Sequence, residues 1–472
     1  MTAAVPSPSV RPSRKWFALA VLAGSQLLIV LDATVVNVAL TDIRTDLGLD
    51  PAELHWVITG YVLAFGGFLL LGGRLADRLG RRRVFVVGAA AFGVGSALAA
   101  LADSAIPLFL GRGVQGLAAA VLAPSALALL MSVFGPGRER NTALGVWGAV
   151  SASGTTLGLI VGGALTQTMS WRWVFWINVP IVAAALLGAV VCLPGSRAGS
   201  AERFDVAGAV LATGGLGGLV YGLVQAAEAG WAAPLALPVV AVAAAMLIAF
   251  ARLQSVRPYA LVPTRLLRNP TVLGANLVGL VLGAAIYALF YVVSLFMGAH
   301  LHYGAIATGL AFLPMAVTIA VASTISSRLL GRVGARPLLV ASAVLTAVAL
   351  ASLIRISPDA TYVELLLPAF VLAGLGLGIA FVALTTAAVG SAPSNDSGIA
   401  AAVFSAGQQI GGAIGLAVLT AVSTARTRGL AALPEAEAIT QGWSLAFVVA
   451  AGMMLAGLTI TLVMIKPVGP SR

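Results

Sequence analysis

The sequence predicts an all-α polytopic membrane protein with 14 transmembrane helices, and three observations support this fold class. Of the 472 residues, 60% are apolar and only 9% are charged, whereas soluble domains are about a quarter charged. Apolar runs fill nearly the whole chain, and about 20 apolar residues in a helix cross the roughly 30 Å hydrocarbon core of a bilayer. The arginines lie mostly in short segments between these runs.

The apolar runs follow one another along the chain, separated by polar or charged residues. The first run follows Arg11, Arg14 and Lys15, as in a secretory signal, but its 25 residues are too many for a signal and no small-residue cleavage site follows. We therefore expect it to remain as the first span. The predicted spans are residues 16–40, 54–73, 84–102, 107–131, 142–166, 173–193, 206–227, 234–251, 271–297, 305–327, 337–354, 362–389, 398–423 and 443–465.

The basic residues are distributed unequally between the two sides of the membrane. An even number of spans places both termini on one side, and the termini and loops of that side contain 21 arginines and lysines. Five lie on the other side and one, Arg112, lies within a span, which accounts for all 27. The positive-inside rule then predicts that both termini are cytoplasmic. The abundance of alanine, glycine and arginine, with only two lysines, indicates a GC-rich bacterial genome and hence the bacterial cytoplasmic (inner) membrane.

Composition argues against several classes of function. The net charge of +11 lies in short loops and forms no basic face on a folded domain, so we predict no nucleic-acid partner. The single cysteine, Cys192, excludes an internal disulfide, and the three histidines lack the companions of a metal site. A membrane enzyme would need clustered His, Asp or Glu at one membrane face, but the 16 acids are scattered. We therefore predict no enzymatic activity, no metal and no cofactor.

Two basic loops share a pattern that indicates an internal repeat. Residues Arg74–Arg82 and Arg328–Arg336 both read R-L-x-x-R-x-G-x-R and lie 254 residues apart. Each loop links the second and third spans of a six-span set, provided that the spans 206–227 and 234–251 are an inserted pair. Two like-oriented halves are a known arrangement of secondary transporters. We predict an N-terminal six-helix bundle at 1–200, an inserted two-helix segment at 201–256 and a C-terminal six-helix bundle at 257–472.

Several segments resemble motifs of the major facilitator superfamily. Residues Gly73–Arg82 fit its loop motif, G-x-L-a-D-R-x-G-R-[RK]. Leu31–Leu40, Arg112–Gly116 and Trp171–Pro180 resemble segments of its fourteen-span drug:proton antiporter group, in the first span, in the fourth span and before the sixth span. The resemblance covers nearly the whole chain. It implies two six-helix bundles of the major facilitator fold plus an inserted helix pair.

The resemblance assigns gating residues to the first basic loop. In relatives this loop acts as a latch that holds one cytoplasmic arrangement, which implies a gating role for Gly73, Asp77, Arg78, Gly80 and Arg81. A topology signal alone would explain the arginines but neither Asp77 nor Gly80. In the second copy of the loop, glycine replaces the aspartate.

Glycines of the predicted fifth span keep the spacing of the family's antiporter motif. They are Gly154, Gly158, Gly162 and Gly163, with Leu159 where the motif has proline. Proline would remove a backbone hydrogen bond and kink the helix, so we expect a straighter span. The same glycines also fit the close packing of membrane helices, and both interpretations stay open.

Asp32 and Arg112 are the two ionisable side chains well inside predicted spans. Each costs about 2.5–3.5 kcal/mol on insertion scales, so both should face protein or a water-filled cavity. At about 1.5 Å per residue, Asp32 lies about 12 Å and Arg112 about 7 Å below the outer ends of their spans, so the two can pair if the helices adjoin. We predict that Asp32 is the proton-coupling carboxylate and Arg112 its modulator. A static salt bridge is the alternative.

A mostly apolar substrate cavity is predicted from helical spacing. Gln115 follows Arg112 by three residues on one face of the fourth span. Such a lining, with few polar groups, suits lipophilic drug-like molecules, and the single deep acid favours neutral or monocationic substrates. Helix-packing core is the alternative for the aromatic residues. The predicted substrate-binding residues are Gln115, Tyr287, Phe290, Tyr291, Ser405 and Gln408.

Together these features predict a proton-coupled antiporter that exports hydrophobic drug-like or antibiotic compounds across the cytoplasmic membrane by alternating access. An exporter of an endogenous metabolite or a self-made antibiotic, with the same mechanism, is the alternative. The expected partners are protons, the substrate and the lipid bilayer, and the expected state is a monomer.

Overall fold

The computed structural model describes residues 12–49, 51–135, 137–195, 205–230, 233–257, 260–393, 396–430 and 432–466. These residues form helices and short connections, and no β-strand occurs among them. Fourteen long helices account for most of the described residues. They are α1 (Pro12–Leu47), α2 (Pro51–Leu79), α3 (Arg81–Ala100), α4 (Ala105–Val133), α5 (Arg138–Thr168), α6 (Asn178–Cys192), α7 (Val206–Ala229), α8 (Ala236–Val256), α9 (Pro270–Ala299), α10 (Leu313–Val333), α11 (Ala335–Ser352), α12 (Leu367–Ala388), α13 (Ser397–Arg428) and α14 (Glu435–Met464).

The predicted fold class is confirmed. Thirteen segments among the described residues are long and apolar enough to cross a membrane. The remaining long helix, α5, has 31 residues and packs against α1 and α10. Several helices extend beyond the predicted spans: α1, for example, runs from Pro12 to Leu47. A helix retains its own hydrogen bonds outside the hydrocarbon, so hydropathy marks the membrane-crossing part and not the helix ends.

Three predicted spans begin with a short helical segment that is separate from the long helix. These segments are Trp173–Trp176 before α6, Ala305–Ala311 before α10 and the π-helical turn Tyr362–Leu366 before α12. A proline lies within the first three residues of each long helix that follows, since Pro180, Pro314 and Pro368 occupy these positions. Because proline cannot donate to the preceding turn, the regular helix restarts near it.

The two halves repeat the same helix packing. In the first half α4 packs against α2 and α3, and α1 packs against α5. In the second half α12 packs against α10 and α11, and α9 packs against α13. Helices α1–α6 therefore correspond in order to α9–α14, as expected for a parallel repeat.

The two basic loops are also equivalent in structure. Gly80 and Gly334 occupy the same position of the shared pattern and have φ angles of 96° and 78°, which favour glycine. Arg82 Nη2 donates to the backbone oxygen of Val190 at 2.9 Å, near the end of α6. Its counterpart Arg336 donates to Leu462 at 2.6 Å, near the end of α14. Each loop thus caps the last helix of its own half with an arginine.

The two halves meet at two junctions. The end of the molecule that contains the two basic loops is called the basic end. The first junction is formed by α2 and α13, and the second by α5 and α10. These pairs are equivalent under the repeat. At the basic end of the first junction, Gly73 lies so close to Gly398 and Ala402 that a side chain would overlap both.

The inserted pair covers the first junction. Helix α7 packs against both α2 and α13, and α8 packs on the outer side of α7. The predicted domain boundary between residues 200 and 201 lies outside the described residues. The other boundary, at 256–257, coincides with the end of α8, and the division into domains stays a prediction.

Asp205 ties the inserted pair together at the basic end. This buried carboxylate accepts hydrogen bonds from the Gly208 N–H at 2.9 Å and from Gln254 Nε2 at 2.6 Å, and it pairs with Arg257. Burial by itself raises the pKa of Asp205, but the hydrogen bonds from Gln254, Gly208 and Arg257 outweigh burial and leave the pKa below its ordinary value. Gln254 Oε1 also accepts from the Val262 N–H at 3.0 Å, which fixes the segment leading to α9.

Candidate functional site

A buried ion pair links α1 and α4 inside the N-terminal half. Asp32 is 0% exposed and Arg112 is 1% exposed. Arg112 Nη1 donates to Asp32 Oδ2 at 2.6 Å. The structure therefore pairs the two charges, which the sequence predicts to lie at similar depths in the membrane.

Three neutral polar side chains complete the cluster around Asp32. Gln115 Nε2 and Asn178 Nδ2 donate to Asp32 Oδ1 at 2.8 and 2.7 Å. The same two amide nitrogens lie 2.8 and 3.3 Å from the hydroxyl oxygen of Ser96. The carboxylate thus receives hydrogen bonds from three donors on α4 and α6, and all five side chains are buried.

Arg112 is held independently of its carboxylate partner. Its Nε donates to the backbone oxygen of Val57 at 2.8 Å, and its Nη1 also donates to Gln115 Oε1 at 3.0 Å. The guanidinium carbon lies 4.4 Å from the ring centre of Tyr61 and 5.9 Å from that of Phe175. Cation–π contacts of this kind stabilise a desolvated guanidinium. The charge can therefore stay in place if Asp32 becomes neutral.

The first basic loop connects the two halves through Asp77. Its Oδ1 accepts from the Gly398 N–H at 3.0 Å and its Oδ2 from the Ile399 N–H at 2.9 Å. Arg81 Nη2 lies 3.2 Å from the same carboxylate. A carboxylate from α2 thus caps the N-terminus of α13, where helix N–H groups lack intrahelical partners and favour negative charge. Arg78 lies half-buried one residue further along α2.

A second carboxylate at this junction was not anticipated from the sequence. Asp396 directly precedes α13 and accepts from Arg265 Nε and Nη2 at 3.0 and 2.7 Å. Arg74 Nη1 of α2 lies 4.0 Å from it. The only signal in the sequence is an acid immediately before an apolar run, which is typical of many helix starts.

The antiporter-motif glycines of α5 lie against α1. Side chains at Gly154, Gly158 and Gly162 would overlap residues 30, 34 and 35 of α1, whereas Gly163 faces Ile306 of the C-terminal half. Close helix packing accounts for three of the four positions. The side chain of Leu159 lies outside the described residues.

Among the described residues, those predicted to bind substrate have different surroundings. Gln115 belongs to the Asp32 cluster, and the ring of Phe290 packs at a tilt against that of Phe312, with ring centres 5.0 Å apart. Tyr291 is 42% exposed and lines a small surface cavity of about 120 Å³. Ser405 and Gln408 are half-buried on α13. The Tyr287 side chain lies outside the described residues, and the substrate-binding role of the set stays a prediction.

The chain forms two related six-helix bundles, and one of them contains a buried charge pair. This is the architecture of a secondary transporter. Residues 22–416 and 277–472 match the model of the Major Facilitator Superfamily, and the chain belongs to this superfamily of transporters. The expected resemblance is therefore confirmed.

Relatives of the chain include antibiotic resistance and export proteins. It is 41% identical over 452 residues to the puromycin resistance protein Pur8 of Streptomyces alboniger, covering 94% of this chain and 90% of the relative. It is 38% identical over 416 residues to the cephamycin export protein CmcT of Amycolatopsis lactamdurans, covering 87% and 86%. The crystal structure of the human organic anion transporter MFSD10 (TETRAN) is similar in fold, with a TM-score of 0.63 and 17% identity over 94% of this chain and 100% of that one.

Proposed function

We propose that this protein is a proton-coupled antiporter that exports lipophilic drug-like or antibiotic compounds across the bacterial cytoplasmic membrane, with its basic end in the cytoplasm. The names of its relatives support the substrate class. The excess of arginine on one side supports the orientation. Asp32 is the acid that we assign to proton transport. We propose a monomer that takes neutral or monocationic substrates.

The observation that carries this proposal is the composition of the Asp32 cluster. An ionised carboxylate only accepts hydrogen bonds, whereas a protonated one must also donate. Asn178 Oδ1 is buried and has no hydrogen-bond partner among the described residues. Rotation of this amide would turn Oδ1 toward a protonated Asp32, while Arg112 keeps its contacts with Val57 and Tyr61. The cluster is therefore suited to both protonation states of the carboxyl.

Alternating access requires that the cluster open to water in another conformation. Here the first junction is closed at the basic end by Asp77, and Asp32 has no exposed surface. Separation of α2 from α13 at that end would let the halves rock apart. Release of the proton from Asp32 would then be tied to the side on which the cavity opens.

One proton is energetically sufficient for a useful concentration gradient. A potential of about 100 mV contributes roughly 2.3 kcal/mol for each charge that crosses. Since about 1.4 kcal/mol corresponds to a tenfold ratio, one proton sustains about a fifty-fold gradient of a neutral substrate.

Transport into inverted membrane vesicles tests the proposal. Puromycin and a panel of lipophilic dyes are offered with a pH gradient and after its collapse by an ionophore. Asp32→Asn should abolish gradient-driven accumulation while substrate binding to the purified protein persists. Asp103→Asn, in the exposed loop between α3 and α4, is the matched control and should behave as wild type. Undiminished uphill transport by the Asp32 variant, or accumulation that survives collapse of the gradient, contradicts proton coupling through this residue.

Export of an endogenous compound is the second candidate, favoured by the relative whose name is that of a cephamycin export protein. The test compares the culture medium of cells with and without the protein by untargeted mass spectrometry. A native metabolite that is lost from the medium of deficient cells, without altered sensitivity to external drugs, supports this candidate over general drug export.

A further inference from the structure

The two junctions between the halves differ at one position of the repeat. At the first, Asp77 of α2 caps the N-terminus of α13. At the second, α10 takes the place of α2, α5 takes the place of α13, and Gly331 takes the place of Asp77. No side chain caps the start of α5 in the described part of the chain. At the second junction, the N-terminus of α5 therefore lacks a carboxylate equivalent to Asp77 at the N-terminus of α13.

A cavity of about 490 Å³ lies at this point, between the start of α5 and the end of α10. Arg138, Arg328 and Arg332 line it, and no acidic residue is among its lining residues. Within the described ranges, none of the three arginines forms an ion pair with a carboxylate. The acid in the first turn of α5, Glu139, is paired with Lys15 at 3.0 Å. The cavity thus concentrates unneutralised positive charge.

Asn141 provides an independent indication of a polar ligand. It lines the cavity and is only 9% exposed. Its side chain makes no hydrogen bond to any residue that the structure describes, although its backbone N–H donates to Gly137 at 3.2 Å. Its polar atoms are not among those sealed in the interior without a partner, so the amide is accessible to a ligand from the cavity. Together with the positive N-terminus of α5, it provides the donors that bind a phosphate group.

The wall of the cavity on α10 continues as an apolar ridge. Ile325 and Leu329 line the cavity and are exposed, and Val321 and Val317 continue the same face at intervals of four residues. This ridge leads from the basic end toward the middle of the membrane. The inserted pair packs on the first junction instead. The charged cavity therefore opens beside a surface suited to an acyl chain.

We propose that the cavity between α5 and α10 binds an acidic phospholipid. The phosphate contacts Arg138, Arg328, Arg332 and Asn141. It lies at the start of α5, in the position equivalent to that of Asp77 at the start of α13. Basic pockets between transmembrane helices on the cytoplasmic side bind acidic lipid headgroups by this chemistry. The bound phosphate links α5 to α10 and so completes the second junction. The proposal concerns a different site from the Asp32 cluster and does not depend on the transported compound.

Native mass spectrometry of the purified full-length protein, titrated with phosphatidylglycerol and separately with phosphatidylcholine, tests the proposal. Wild-type protein should bind phosphatidylglycerol preferentially. Arg328→Ala combined with Arg332→Ala should weaken its binding about 30-fold, from two arginine contacts. The control, Arg252→Ala with Arg268→Ala, removes two exposed charges at the same end and should retain wild-type affinity. Equal losses in both double variants would show diffuse attraction and overturn the site.

Gly331 allows a test that removes no arginine. A Cβ atom there meets no atom within 4 Å, so alanine fits and an aspartate side chain would begin in open space. Gly331→Asp restores the carboxylate of the first loop and should exclude the lipid, whereas Gly331→Ala should bind it as wild type does. Unchanged phosphatidylglycerol affinity in the aspartate variant contradicts the proposal. Full displacement of the lipid by excess inorganic phosphate would assign the site to soluble phosphate and also overturn it.

Discussion

Removal of the Asp77 side chain is expected to open the first junction at the basic end. The carboxylate holds α13 through the Gly398 and Ile399 N–H groups at 3.0 and 2.9 Å, and it pairs with Arg81. In Asp77→Ala all three interactions are lost. In Asp77→Asn the remaining oxygen can still accept one N–H, so this variant should have an intermediate effect.

The magnitude follows from these contacts. Loss of an N-terminal cap costs about 1 kcal/mol and up to about 2, and loss of the largely buried pair with Arg81 places the total toward the upper end of this range. Water reaches the N–H groups once the junction separates, which limits the loss. We therefore expect Asp77→Ala to shift the balance between closed and open forms by about 2 kcal/mol, or about 30-fold. Asp77→Asn should shift it by about half that free energy.

Distances between spin labels at Arg83 and Val333 measure this balance directly. Both positions are exposed, and they lie at the basic end in opposite halves, Arg83 near the start of α3 and Val333 at the end of α10. Replacement of the buried Cys192 by serine leaves only the introduced labels. The longer-distance population should increase in the order wild type, Asp77→Asn, Asp77→Ala, with Asp103→Asn unchanged. Identical distance distributions in all four proteins would refute the capping argument.

Two further predictions concern stability. Gly158→Ala should destabilise the protein by about 1–3 kcal/mol and lower its thermal unfolding temperature, because the new methyl group overlaps Thr34 of α1. The control is Gly113→Ala, whose methyl group meets no atom within 4 Å. Equal effects of the two substitutions would contradict the packing argument. The pKa of Asp205 is lowered in the folded protein. Its ionised carboxylate therefore stabilises the fold fully above its ordinary pKa of 3.8, and this stabilisation is lost as pH falls through the lowered pKa. Unfolding scans over a pH series should show this acid-dependent loss in wild type, and an equally large loss in Asp205→Asn would exclude Asp205 as its source.

The helices could be predicted from sequence because a membrane leaves few alternatives. Each span must satisfy its own backbone hydrogen bonds, so an apolar run of sufficient length becomes a helix. The breaks before Pro180, Pro314 and Pro368 were missed, although the prolines were visible. Hydropathy does not distinguish a continuous helix from two helical segments in line.

The Asp32 cluster was only partly predictable. Two charges at similar depth indicated a pair, but Ser96 and Asn178 are neutral and do not stand out in apolar helices. Asn178 does lie within the Trp171–Pro180 segment, which was the available signal. Gln115 shares a face with Arg112, as expected, but that face meets Asp32. Helical spacing shows which residues share a face and not what the face contacts.

The central claim is that Asp32 transports the proton that drives export. Proteoliposomes that contain a pH-sensitive dye and are loaded with puromycin test it most directly, because outward flow of substrate through an antiporter must bring protons in. Wild type and Asp103→Asn should acidify the lumen when a puromycin gradient is imposed, and Asp32→Asn should not, although it still binds puromycin. Lumen acidification by Asp32→Asn at the wild-type rate would contradict the account.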